Sequence, residues 1–147
     1  SVVFISPEKY NQLYSKIKNL NKLLAWGHAR AIENILKKVN CNNVISDQFG
    51  DEELIKKALL EQGKKATLIQ TPKAERDIAV AAASILARDI YLQQRSLLGR
   101  QVGMALPKGA SPAVEEAAHQ IIKKYGNDIL LKYVKYHFKT TEKILRS

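Results

Sequence analysis

Residues 71–89, TPKAERDIAVAAASILARD, join a Thr-Pro breaker to a Lys-Ala-Glu triplet and then to a helix built almost wholly of small residues. Proline lacks an N–H and restricts the residue before it, so whatever precedes Pro72 ends there. Alanine combines the best helix propensity with no bulk. Ala79, Ala81, Ala82, Ala83 and Ala87 therefore allow a neighbouring element or a ligand to come close to the backbone. Glu75 stands at the threshold of that helix, where a carboxylate is a candidate for chemistry.

Working back from the triplet, Ala66 to Ile69 is expected to be a strand, and Val44-Ile45-Ser46 a second, buried strand that ends at Asp47. Between them, Asp51 to Gln62 has acids in its first turn and lysines at its middle and end, with Gly63 as a stop, which predicts a helix. Further back, Asn19 to Val39 carries Leu20, Leu23, Leu24, His28, Ala31, Ile32, Ile35, Leu36 and Val39 as one stripe at helical spacing. Val2 to Ile5 predicts another strand, entering a helix with Ser6 as N-cap and Pro7 at its first position. Alternation of strand and helix is the grammar of an α/β domain.

Forward of the triplet, the small-residue helix is expected to run to about Leu98, before Gly99 and Gly103. A loop at 105–111 then leads to a helix opened by Ser111-Pro112 and closed near Tyr125. Gly126-Asn127 separates it from a helix near Asp128 to Val134, and a short terminal helix capped at Thr140 or Thr141 follows. With neither repeat nor low-complexity linker, residues 1–147 are expected to form one domain, with a helical extension from about 105.

The composition narrows the partners. The 147 residues carry 24 Lys and Arg against 14 Asp and Glu, a formal charge of +10, which favours polyanions and nucleic acid first among them. The same lysines also serve simply to solubilise a surface. The lone Cys41 offers neither an internal disulfide nor a Cys-rich zinc knuckle. No apolar run approaches the ~18 residues of a membrane span, and no N-terminal signal pattern is present, so a cytoplasmic location is the default expectation.

In open α/β sheets, ligands collect outside the carboxyl ends of the strands, and Asp47 and Glu75 both belong to that edge. Two carboxylates there suit Mg²⁺, which prefers hard oxygen donors, or general acid–base work; equally, Asp47 can cap a turn and Glu75 the following helix. Lys73, Arg88 and Lys108 adjoin the same edge as possible phosphate ligands or as solvated charges. His28 reads as a satisfied core histidine on its helix stripe, with Trp26 covering the core edge. No Gly-x-Ser-x-Gly elbow and no phosphate-binding glycine loop is present.

Taken together, Lys73-Ala74-Glu75, the run from Ala79 to Arg88 and Ser46-Asp47-Gln48-Phe49 resemble the type 2 ribonucleases H, most of all bacterial ribonuclease HIII. Asn19 to Asn34, Leu106 to Ser111 and Tyr136-His137-Phe138 are similar to further runs of that family in the same order. The sister family, ribonuclease HII, usually has Asp where Glu75 stands and Gly-Tyr-Gly where this chain has Pro107-Lys108-Gly109.

The resemblance implies a ribonuclease H-like mixed sheet flanked by helices, and hydrolysis of the RNA strand of an RNA–DNA hybrid with Mg²⁺ or Mn²⁺. It further implies that Asp47 and Glu75 are the third and fourth of four metal-binding carboxylates, with Asn21, Lys73, Ser84, Arg88 and Lys108 as substrate-binding residues. The Asp-Glu pair expected for the first two ligands, with the N-terminal strands that bear it, is not in these 147 residues. The expectation is therefore a C-terminal portion of the catalytic domain, inactive alone and partnered by the missing N-terminal segment. A non-catalytic module that binds hybrid or duplex through its basic surface is the alternative.

Overall fold

Helices and two short strands alternate in the order α1 (Pro7–Ile17), α2 (Leu20–Leu36), β1 (Asn43–Asp47), α3 (Glu53–Ala58), β2 (Thr67–Thr71), α4 (Ile78–Val102), α5 (Pro112–Tyr125) and α6 (Lys139–Arg146). This is a computed structural model, and it describes residues 1–146. The chain divides into two compact units, one of residues 1–4 and 17–90, the other of residues 5–16 with the described residues from 91 onward. The architecture is α/β, as expected. No helix among the described residues is long and apolar enough to cross a membrane.

In the first unit, β1 and β2 pair in parallel, with Asn43 opposite Thr67 and Asp47 opposite Thr71. A parallel pair needs a crossing connection, which α3 provides. Side chains alternate across a strand, so Val44 and Leu68 face a core made by Ala25, Ala29, Ile32, Ile55 and Leu59. Ile45 and Ile69, on the opposite face, are exposed.

The sheet among the described residues is these two parallel strands rather than a mixed sheet, and Val2–Ile5 is not a strand. A β-rich run becomes a strand only when a neighbour completes its hydrogen bonds. The helix after it forms as read: the Ser6 Oγ accepts the Lys9 N–H at 3.2 Å and α1 opens at Pro7.

Helix α2 begins at its Asn19 cap, whose Oδ1 accepts the Lys22 N–H at 3.0 Å. Its buried face differs from the apolar stripe: Leu23, Ala25, Ala29, Ile32 and Glu33 are buried, whereas Leu24, Ile35 and Val39 are exposed. The cause is Glu33, only 1% exposed, whose carboxylate accepts the N–H groups of Leu60, Gln62 and Gly63 at 2.8, 3.1 and 2.7 Å. Those bonds satisfy the backbone where α3 has stopped. The helix accordingly ends at Ala58 instead of reaching Gln62, and Gly63 opens a 3₁₀ turn to Lys65.

The first half of α4 is mostly exposed within its unit. Ile78 is 86% and Ile85 69% exposed, so among the described residues of this unit no element covers that face. The helix passes through Gly99 to Val102, beyond the expected end at Leu98. A Cβ on Gly99 would sit 2.6 Å from the Met104 carbonyl oxygen, so this glycine makes room for the returning loop, and Gly103, at φ +73°, stops the helix.

In the second unit, Val102, Ala118, Ile121, Leu130 and Ile144 form the core. Helix α5 matches the expected span, although Ser111 makes no side-chain capping bond. Asn127–Lys132 is a 3₁₀ segment rather than an α-helix. Helix α6 starts at Lys139, and Thr141 lies inside it, buried, with its hydroxyl donating to the Lys135 carbonyl instead of capping.

Candidate functional site

Because β1 and β2 are parallel and in register, their last residues, Asp47 and Thr71, finish at the same edge. The Gln48 N–H donates to the Thr71 carbonyl at 3.2 Å and extends the pairing one residue further. Past Pro72 the chain turns sharply at Lys73, which adopts the left-handed conformation with φ 57° and ψ 41°. A non-glycine residue there is strained by about 1–3 kcal/mol and persists only where its surroundings demand it. The demand comes from the short 3₁₀ turn Ala74–Arg76, which is folded back onto β1. The buried Ala74 N–H donates to Asp47 Oδ1 at 3.1 Å.

Glu75 follows directly, on this turn and one short element ahead of α4 rather than on the helix threshold. Its carboxylate does not cap α4. Asp77 does so, its Oδ1 accepting the N–H groups of Ala79 at 2.8 Å and Val80 at 3.4 Å. Of the two structural roles weighed from sequence, Asp47 thus fills one, holding the turn, and Glu75 is relieved of the other. Both side chains are open to solvent.

Four more side chains gather at this edge. Ser46, buried at the end of β1, has its Oγ 3.2 Å from His28 Nδ1. The His28 ring lies 4.9 Å from that of Phe49, in the loop following β1. Burial lowers the His28 pKa below the usual histidine value, against an opposing pull from the Asp47 charge. His28 is therefore a supporting residue beneath Asp47, beyond the plain core histidine its helix stripe suggests. Asn21, in the first turn of α2, reaches the same loop: a Cβ on Gly50 would lie 3.1 Å from Asn21 Nδ2.

The remaining expected residues lie on α4 and in the loop after it. Ser84 and Arg88 are four residues apart on one exposed face of α4, leading away from its capped end at about 1.5 Å per residue. Lys108 is exposed in the loop between α4 and α5, in the second unit.

The donor chemistry at the edge suits a hard divalent cation, since Asp47 and Glu75 offer carboxylate oxygens. Among the described residues no group of three or more His, Cys, Asp or Glu side chains is placed to hold a metal ion. A cation here would draw on two protein carboxylates from these residues.

The sequence model of the family described as Ribonuclease HII matches residues 2–141. The chain belongs to the ribonuclease HII family. It is 44% identical over 144 residues to the ribonuclease HIII of Protochlamydia amoebophila, covering 98% of this chain and 48% of that protein. With the ribonuclease HIII of Chlamydia pneumoniae it shares 48% identity over 145 residues, 97% of this chain and 49% of the relative. Its fold is similar to the crystal structure of Bst-RNase HIII in complex with Mn²⁺, with a TM-score of 0.87 at 31% identity, over 98% of this chain and 49% of that one. The chain thus spans about half the length of the ribonuclease HIII proteins it matches, and the type 2 ribonuclease H resemblance read from its motifs is confirmed.

Proposed function

We propose that this chain is part of a cytoplasmic, metal-dependent endonuclease that cleaves the RNA strand of RNA–DNA hybrids, and that Asp47 and Glu75 supply two of its metal-binding carboxylates. The observation that carries the reading is the Asp47–Ala74 hydrogen bond, which places the Glu75 turn against the end of β1 while Asp77 takes over the capping of α4. In this reading the two carboxylates serve one edge, with Glu75 not spent on capping α4.

Within that reading, Ala74 and the strained Lys73 turn fix where Glu75 begins, and the Ser46–His28 contact backs the strand that bears Asp47. Lys73 and Asn21 would meet substrate backbone at the carboxylate edge, Ser84 and Arg88 would hold phosphates further along α4, and Lys108 would bind substrate from the second unit. Choice of RNA over DNA would come from the 2′-hydroxyl, which DNA lacks. Asp47 and Glu75 would help hold a pair of Mg²⁺ or Mn²⁺ ions, which would supply the activation of water and the neutralisation of charge on the leaving 3′-oxygen.

Two carboxylates are fewer than such a pair requires, and the chain spans about half of each matched relative. We therefore propose that the other ligands lie on a segment outside these 147 residues, in the rest of the ribonuclease H-like catalytic domain. The exposed Ile45 and Ile69 of the sheet, with Ile78, Ile85 and Leu86 of α4, form apolar surface of the kind such a segment would cover. Alone, the chain would bind hybrid but not cleave it.

The formal charge of +10 also supports a second reading, a basic hybrid-binding module without catalysis. Asp47→Asn separates the two. It leaves hybrid binding unchanged or slightly tighter in either case, but abolishes cleavage by the chain reconstituted with its missing half only if Asp47 is a metal ligand. Unchanged cleavage by the reconstituted Asp47→Asn protein would refute the nuclease role given to Asp47.

A further inference from the structure

The segment Lys132–Lys139 reads KYVKYHFK, lysines interleaved with aromatic rings, and its rings are organised by α1 within the second unit. Tyr10 and Tyr14, one turn apart on α1, have ring centroids 6.1 Å apart and planes within 9° of parallel. The His137 ring lies 3.9 Å from Tyr14 and 5.6 Å from Tyr10, and Phe138 follows at 4.1 Å from His137. Asn11 fixes the segment against α1. Its side-chain amide donates to the Leu131 and Val134 carbonyls at 3.0 and 2.8 Å, while its Oδ1 accepts the Tyr136 N–H at 2.9 Å.

The ring series begins at buried Tyr10 and ends at Phe138, which is 44% exposed. Lys135 spans the series, its Nζ 4.7 Å from the Tyr10 ring and 6.0 Å from that of Phe138, and the exposed Lys139 follows Phe138 in sequence. Burial, then the nearby Lys135 charge, lower the His137 pKa, so that ring is a neutral stacking partner at pH 7. A half-exposed ring already held by its neighbours loses little freedom when something settles on it, and flanking ammonium groups suit phosphates.

We propose that Phe138 is a stacking platform for one unpaired nucleobase of single-stranded RNA or DNA, with Lys135 and Lys139 holding the phosphates on either side. Every base has a π-face, so the site takes nucleic acid without reading its sequence. This rests on the nucleic-acid reading above but is independent of Asp47 and Glu75. It gives the protein a hold on single strand flanking the hybrid.

Fluorescence anisotropy of the 147-residue chain with labelled oligo(dT), oligo(U) and a blunt RNA–DNA hybrid tests it. Phe138→Leu, which keeps bulk but removes the ring, is expected to weaken both single-stranded probes about tenfold, and Phe138→Tyr to bind within about twofold of the parent. Each of Lys135→Gln and Lys139→Gln should lower the slope of log affinity against log salt by about 0.7. Equal single-strand binding by folded Phe138→Leu and parent overturns the proposal, as does single-strand binding too weak to detect. A loss confined to oligo(U) overturns it too, because it would indicate a 2′-hydroxyl contact. Hybrid binding that persists in those cases leaves the nuclease reading standing, whereas Phe138-dependent single-strand binding without hybrid binding would leave only the platform.

Discussion

Asp47 Oδ1 accepts the backbone N–H of Ala74 at 3.1 Å, so the side chain that ends β1 also fixes the turn carrying Glu75. Asp47→Asn keeps an oxygen acceptor and should leave stability nearly unchanged, whereas Asp47→Ala leaves the Ala74 N–H unpaired and should cost about 1 kcal/mol. Urea denaturation of the two variants checks this. NMR titration of His28 adds a second readout: the Asp47 charge supports the protonated ring, so Asp47→Asn should lower the His28 pKa further. A His28 pKa that does not move would place that charge out of reach.

Glu75 and Asp77 are two residues apart and separable. Asp77→Ala removes the α4 cap and should destabilise the chain by about 1 kcal/mol. Glu75→Gln changes a solvent-open side chain and should stay within about 0.5 kcal/mol of the parent. Thermal melts showing the reverse order would mean that Glu75, not Asp77, secures the helix.

Much of this edge is legible in the sequence. Asp47 follows from a short apolar run closed by an acid, and Glu75 from its place between a proline break and a helix. What the pattern conceals is backbone service by polar side chains. Asp77 looks like one more charge, and Glu33 like a solvated residue on the outer face of α2, because apolar periodicity cannot register a buried carboxylate bonded to three N–H groups. That omission displaces the α2 stripe and overextends α3. Val2–Ile5 fails for a related reason: local composition favours a strand, but pairing partners make one.

Glu33 should also set an acid limit on stability. Burial alone raises its pKa, but the three N–H bonds and the nearby Lys37 outweigh that and leave it below the ordinary glutamate value. A depressed folded pKa means stabilisation that is fully present above the unfolded value, about 4.3, and lost as pH falls through the folded one. Glu33→Gln should cost about 2 kcal/mol or more at pH 7, with the gap to the parent closing below about pH 4. Parallel urea curves from pH 7 to pH 3 check both the magnitude and the sign.

Lys73 combines a left-handed backbone with a charge at the carboxylate edge. Lys73→Gly relieves the backbone and removes the charge, so stability should hold or rise by up to about 1 kcal/mol. Hybrid affinity should fall, with the salt slope reduced by about one phosphate contact. Affinity and slope unchanged in an anisotropy titration would exclude Lys73 from the substrate edge.

The central claim, that Asp47 and Glu75 are half of a metal-binding carboxylate set, is tested most directly by cleavage of a labelled RNA–DNA hybrid in Mg²⁺ or Mn²⁺. The 147-residue chain is assayed alone, and then mixed with the part of the Protochlamydia amoebophila ribonuclease HIII that its match leaves uncovered. No cleavage is expected from the chain alone, and the mixture should cleave the RNA strand in a reaction that Glu75→Gln abolishes. Robust metal-dependent cleavage by the chain alone, or full activity of the mixture carrying Glu75→Gln, would contradict the claim.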